Sequence, residues 1–142
     1  MFVTGWTGDD INEYTLSTAF DVSTASFVDS FDVSSEEGNP FGFTFYSKGT
    51  KMYVTGWTGD DINEYTLTTG FDVSTATYSQ NFDVSSEAGK PSAVQFDLDG
   101  TTMYVLNGTG IPTIFKYTLS TAFDVSTASY SNKSYQLSLI HI

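Results

Sequence analysis

Three observations predict an all-β fold of β-propeller-type tandem blades. A unit of about fifty-one residues recurs nearly three times, turn signals cut each unit into four short segments, and no segment carries a helical period. MFVTGWTGDDINEYTL at residues 1–16 returns as MYVTGWTGDDINEYTL at 52–67, and a diverged third copy, MYVLNGTGIPTIFKYTL, begins at Met103. FDVSTA starts at Phe20, Phe71 and Phe123, and FDVSSE at Phe31 and Phe82. The last spacing is one residue longer because the loop at 107–113 carries an insertion.

The unit that starts near Pro40 justifies each element in turn. Residues 42–45 alternate Gly, Phe, Thr, Phe and stop at Ser47-Lys48-Gly49, which predicts a first strand and a hairpin turn; Asp99-Gly100 is the equivalent turn signal in the next unit. Residues 52–55 are rich in β-formers and end at Thr58-Gly59-Asp60, predicting a second strand, and 62–67 a third. Phe71-Asp72-Val73-Ser74-Thr75 reads as a tight loop, because Asp and Ser side chains bond nearby backbone amides. A fourth strand follows over 76–84, and the breaker cluster from Ser85 to Pro91 leads into the next unit. Carried along the chain, this gives about three four-stranded antiparallel sheets with approximate bounds 1–39, 40–90 and 91–136, a partial propeller over 1–136. Hairpin turns demand antiparallel meanders, which disfavours a solenoid built on parallel coils.

Composition narrows the function. The 142 residues include seventeen acidic side chains against five lysines and no arginine, a net charge of −12, with 39% hydrophobic and 16% aromatic content. Lys48, Lys51, Lys90, Lys116 and Lys133 are scattered singly, so neither nucleic acid nor an anionic membrane is an expected partner. No apolar run is long enough for a spanning helix. The absence of cysteine removes disulfides and thiolate metal sites. Few Lys beside many Asp, Ser and Thr suits an extracellular, cell-surface or virion setting.

The run P-x-x-[FV]-x-F-x-x-x-G-T-x-M-Y-V, then I-x-x-Y-T-L, then F-D-V-S-T-A, covers nearly the whole chain. It is carried by Pro40, Phe43, Phe45, Gly49, Thr50, Met52, Tyr53, Val54, Ile62, Tyr65, Leu67 and the segment from Phe71 to Ala76. It resembles the blade repeats of the YVTN-type and related bacterial or phage β-propellers. The resemblance implies blade architecture and leaves activity open, since such repeats serve binding, adhesive and enzymatic proteins alike.

Both ends depart from the repeat. Residues 137–142, LSLIHI, replace the expected FDVSS-like continuation, read as a translated sequencing-library adaptor, and carry the one histidine, His141. Met1 stands at the phase of Met52 and Met103, inside a second strand, so the expectation is an internal methionine in a chain of under three blades. Terminal blades would then show Phe, Tyr, Met and Val to water, and the chain is expected to associate with copies of itself.

Candidate sites each have a structural reading beside the chemical one. Trp6 and Trp57 end the second strand next to a turn, where an indole stacks either on a sugar or on a neighbouring blade. Asp9-Asp10 and Asp60-Asp61 offer paired oxygen ligands for calcium, or a solvated turn; the third copy has Gly110-Ile111-Pro112 there. Asp97-Leu98-Asp99-Gly100 resembles part of a calcium loop but lacks the later Glu. Asn107 begins the variable loop and, with Gly108-Thr109, matches a short glycosylation pattern, as does Asn132-Lys133-Ser134. No catalytic residue is expected, because without a native His or Cys the inventory for nucleophile-and-base arrangements shrinks to carboxylates, Ser, Thr, Tyr and a few Lys. The favoured function is a non-catalytic scaffold binding protein or carbohydrate through rim loops. The alternatives are a fragment of a propeller enzyme of lactonase or hydrolase type, with its catalytic residues elsewhere, and a structural spacer.

Overall fold

A computed structural model describes residues 1–137; the last five residues of the expected adaptor tail, 138–142, lie outside the described residues. Eleven strands form three antiparallel sheets. Sheet I contains β1 (Phe2–Gly5), β2 (Asp10–Leu16) and β3 (Ala25–Asp32) in that order. Sheet II is a meander of β4 (Pro40–Tyr46), β5 (Lys51–Gly56), β6 (Asp61–Leu67) and β7 (Ala76–Asp83). Sheet III repeats it with β8 (Pro91–Phe96), β9 (Thr102–Asn107), β10 (Thr113–Leu119) and β11 (Ala128–Gln136). The expected strands are therefore present, each within two residues of its expected bounds where the unit from Pro40 was read. Sheet I has three strands, no counterpart to β4 being present.

Register repeats along with sequence. Met52 pairs with Tyr65 and Val54 with Asn63, as Met103 pairs with Tyr117. The outermost strand of every sheet carries a bulge at one phase, beside Glu13/Tyr14, Glu64/Tyr65 and Lys116/Tyr117. Extra residues there sharpen the local twist that sheets need if they are to stack as blades.

The FDVST loops form short 3-10 turns at Val22–Thr24, Val73–Thr75 and Val125–Thr127. The aspartate before each turn caps it. Asp72 Oδ1 accepts from the Ser74 N–H at 3.2 Å and the Ser74 hydroxyl at 2.6 Å, and Asp21 and Asp124 do the same for Ser23 and Ser126. Phe71 and Phe123 sit just ahead, and each ring lies against a glycine of its own sheet's first hairpin. Gly49 at φ +83 and Gly100 at φ +75 leave no room for a Cβ beside those rings, and both conformations are ones that glycine alone adopts freely.

The core lies between sheets. One buried cluster joins Ile11 and Val33 of sheet I to Met52, Val54, Tyr65, Leu67 and Val73 of sheet II. The other joins Tyr53, Ile62 and Val84 of sheet II to Met103, Val105, Tyr117, Leu119 and Val125 of sheet III. Alternation along β5 sends Met52 and Val54 toward sheet I and Tyr53 toward sheet III, so sheet II is buried on both faces. The result is a stack of propeller-type blades.

Candidate functional site

The turns between second and third blade strands meet the connections between sheets along one rim. Trp57 follows β5 directly, and its backbone N–H donates to the Asn39 carbonyl at 3.2 Å. Its ring lies nearly parallel to Phe41, with centroids 4.8 Å apart and an interplanar angle of 11°. The Lys90 ammonium sits 4.5 Å from the centre of the same ring, a cation–π contact. Trp6 lies 6.5 Å from Trp57, tilted by 59°, and its Nε1 donates to Asn39 Oδ1 at 2.9 Å. Asn39 and Lys90 occupy the same position in successive repeats, one before the proline that opens the next sheet, so each tryptophan is held by that residue. Trp57 is engaged by Phe41 and Lys90, whereas Trp6 remains 66% exposed and Phe41 48% exposed.

Asn107 joins the same rim through the loop it starts. Its Oδ1 accepts from the Lys90 N–H at 3.2 Å and its Nδ2 donates to the Thr109 carbonyl at 3.0 Å. Gly108 takes the tryptophan's place, its N–H donating to the Lys90 carbonyl at 3.0 Å. The structure thus brings Trp6, Trp57 and Asn107 to one rim, with Asn39, Phe41 and Lys90 between them. Those last three escaped the reading of the sequence; their shared phase around the repeat's proline was the available signal.

The acidic pairs divide their labour. Asp9 and Asp60 adopt left-handed backbone, φ 49° and 51°, and their carbonyls accept from the N–H groups of Val33 at 2.8 Å and Val84 at 3.0 Å. Asp10 accepts from Asn12 Nδ2 at 2.7 Å. Asp61 accepts from Asn63 and Asn81, both at 2.6 Å, and burial pushes its carboxyl above the usual range against the lowering effect of those two amides. Among the described residues, no three or more His, Cys, Asp or Glu side chains gather closely enough to hold a metal ion.

Other carboxylates bind one sheet to the next. Glu13 Oε2 accepts from the Val73 N–H at 3.2 Å, and Glu64 Oε2 accepts from the Val125 N–H at 3.1 Å, so each carboxylate receives the 3-10 turn of the following sheet. Glu64 also pairs with the Lys51 ammonium and accepts from Gln80 at 3.0 Å, while Tyr53 donates to the Phe123 carbonyl at 2.7 Å. Tyr65 and Tyr117 donate back to Glu36 at 3.3 Å and Glu87 at 3.2 Å of the sheet before. Glu37, fully buried, accepts from the backbone N–H groups of Asn39 at 2.8 Å and Thr58 at 3.0 Å. Its counterpart is Ala88, at the contact where the third copy has lost the TGD turn that would supply the donors. The recurring acids serve stacking.

Fold and rim together define a protein of stacked, propeller-type blades. Among solved structures the chain is similar to a functionally unknown protein from Desulfotomaculum acetoxidans, with 19% identity and a TM-score of 0.60 over 93% of this chain and 37% of that one. It is also similar to a candidate 6-phosphogluconolactonase from Bacteroides uniformis, with 14% identity and a TM-score of 0.60 over 92% of this chain and 35% of that one. The chain spans just over a third of the length of these solved structures, and at such identities the likeness establishes the fold alone. No family model and no curated protein matches the sequence.

Proposed function

We propose that the chain is a non-catalytic binding scaffold whose aromatic rim takes carbohydrate. The observation that carries this reading is the row of Trp6, Trp57 and Phe41, in which Trp6 and Phe41 keep much of their ring surface open while the indole of Trp6 is oriented by Asn39. Exposed, pre-oriented aromatic faces flanked by amides and hydroxyls, here Asn39 and Thr58, suit the apolar faces and equatorial hydroxyls of a sugar chain. A net charge of −12 favours neutral or basic glycans over sulfated ones. A glycan array followed by tryptophan-fluorescence titration tests the reading. Binding that weakens at least about tenfold in Trp6→Ala supports it, a loss of roughly 1.4 kcal/mol. Silence across the array overturns it and leaves the spacer reading ahead.

The likeness to the candidate lactonase supports a second reading, a segment of a propeller enzyme. Hydrolysis of 6-phosphogluconolactone by this chain or by any longer protein containing it is the discriminating assay.

A further inference from the structure

One indole of the rim already carries a cation. Lys90 stands just before Pro91, and its ammonium lies 4.5 Å from the centre of the Trp57 ring without a carboxylate partner among the described residues. The equivalent residue before Pro40 is Asn39, whose Oδ1 accepts from Trp6 Nε1 at 2.9 Å. A neutral amide therefore stands beside Trp6 where an ammonium stands beside Trp57, and among the described residues no ammonium lies over the Trp6 ring. Trp6 is also the more exposed of the two indoles, with its N–H committed to Asn39 and its faces open.

The ground beneath these rings is negative. Glu37 is fully buried and accepts from the backbone N–H groups of Asn39 at 2.8 Å, Thr58 at 3.0 Å and Gly59 at 3.4 Å, in the very segments that orient Trp6 and carry Trp57. Asp61, buried in the same turn, is near enough to Glu37 for the two carboxylates to repel. Neither is paired with a cation among the described residues, and burial limits the screening of their field at the rim. The third unit has Ala88 for Glu37, Thr113 for Asp61 and Gly108 for Trp57, so acids and indole disappear together. An open ring above unpaired buried carboxylates attracts a cation through its own quadrupole and through their charge.

We propose that the sugar taken by the rim is an amino sugar with a free ammonium, seated on the face of Trp6 as Lys90 is seated on Trp57. This deepens the carbohydrate reading above and rests on it. Asn39 and Thr58, joined at 2.9 Å, stand beside the ring and offer polar partners to the sugar's hydroxyls, which a bare alkylammonium lacks. A sugar with a hydroxyl or an N-acetyl group in place of the ammonium gains the stacking without the charge.

Tryptophan-fluorescence titration of the chain with chitosan, chitin and cellulose oligomers of equal length tests this, at a pH that keeps the chitosan amines protonated. The three differ in carrying an ammonium, an N-acetyl group or a hydroxyl at one carbon of each sugar. The expected result is at least about fivefold tighter binding of the chitosan oligomer than of either neutral one, a preference that shrinks as salt rises. Asn39→Lys puts an ammonium of the chain beside Trp6, as Lys90 stands beside Trp57, and is expected to remove the preference. Circular dichroism checks the fold of this variant, and the salt series on the unaltered chain decides the matter should it not fold. Equal binding of all three oligomers overturns the amino-sugar assignment and leaves the carbohydrate reading standing, whereas silence with all three overturns both. A preference that persists in folded Asn39→Lys or at high salt overturns the assignment, and so does a lysine oligopeptide that binds more tightly than the chitosan oligomer.

Discussion

Glu64 is 1% exposed and satisfies three donors at once, the Lys51 ammonium, the Gln80 amide and the Val125 N–H. Its removal leaves the partly buried Lys51 ammonium with only the Phe123 carbonyl and the Val125 N–H without an acceptor, so Glu64→Ala is expected to cost about 3 kcal/mol in urea denaturation. Glu13, the same repeat position, accepts from the Val73 N–H without a lysine beside it, and Phe2 stands opposite it where Tyr53 stands opposite Glu64. Glu13→Ala is expected to cost about 1 kcal/mol. Tyr53, Tyr65 and Tyr117 obey the same logic from the other side. Burial raises each phenol well above its ordinary value of 10.0, and nearby Glu64, Glu36 and Glu87 respectively push it further. The folded state thus keeps these three neutral where the unfolded chain would ionise them. Their contribution to stability is whole below pH 10 and is lost as the pH rises above it. Titration of phenolate absorbance is expected to show these three of the nine tyrosines ionising only together with unfolding.

At the scale of the element, the 3-10 turn is both a local structure and a docking device. Val73 is fully buried against sheet I, whereas Val22, in an identical turn with an identical aspartate cap, is mostly exposed. Val73→Ala is accordingly expected to destabilise by about 2 kcal/mol in urea denaturation. Val22→Ala should stay within about 0.5 kcal/mol in the same measurement. The contrast explains what the sequence made legible. Strand bounds, hairpins and the Asp–Ser cap depend on residues near one another in the chain, and turn chemistry with period-two alternation predicts them directly. The role of FDVST in contact between sheets does not. It depends on Glu13 and Glu64, about sixty residues before the amides they receive, and such acids read locally as solvated strand or turn residues. The exchange of Glu37 for Ala88 just where the TGD turn disappears was a visible hint of that longer-range bond. At the rim, Trp6 and Trp57 were legible as repeated aromatics, but Asn39, Phe41 and Lys90 were not, because only stacking brings them onto the indoles.

For the whole molecule, stability comes from interfaces between sheets, each supplying an apolar cluster and a set of carboxylate-to-amide bonds. Sheet II, covered on both sides, holds most of the buried polar residues, including Thr55, Asp61, Asn63 and Glu64. Neighbour-only coupling of this kind makes the chain behave as a short linear array, in which sheet II is the last to open. Amide hydrogen exchange at the three repeated valines is the most direct test of the stacking. Val73 and Val125 donate to the carboxylates of the preceding sheet, while no carboxylate among the described residues accepts from the Val22 N–H. Strong protection at Val73 and Val125 with fast exchange at Val22 is the predicted result. Equal exchange at all three would show that the turns do not dock on the sheets before them.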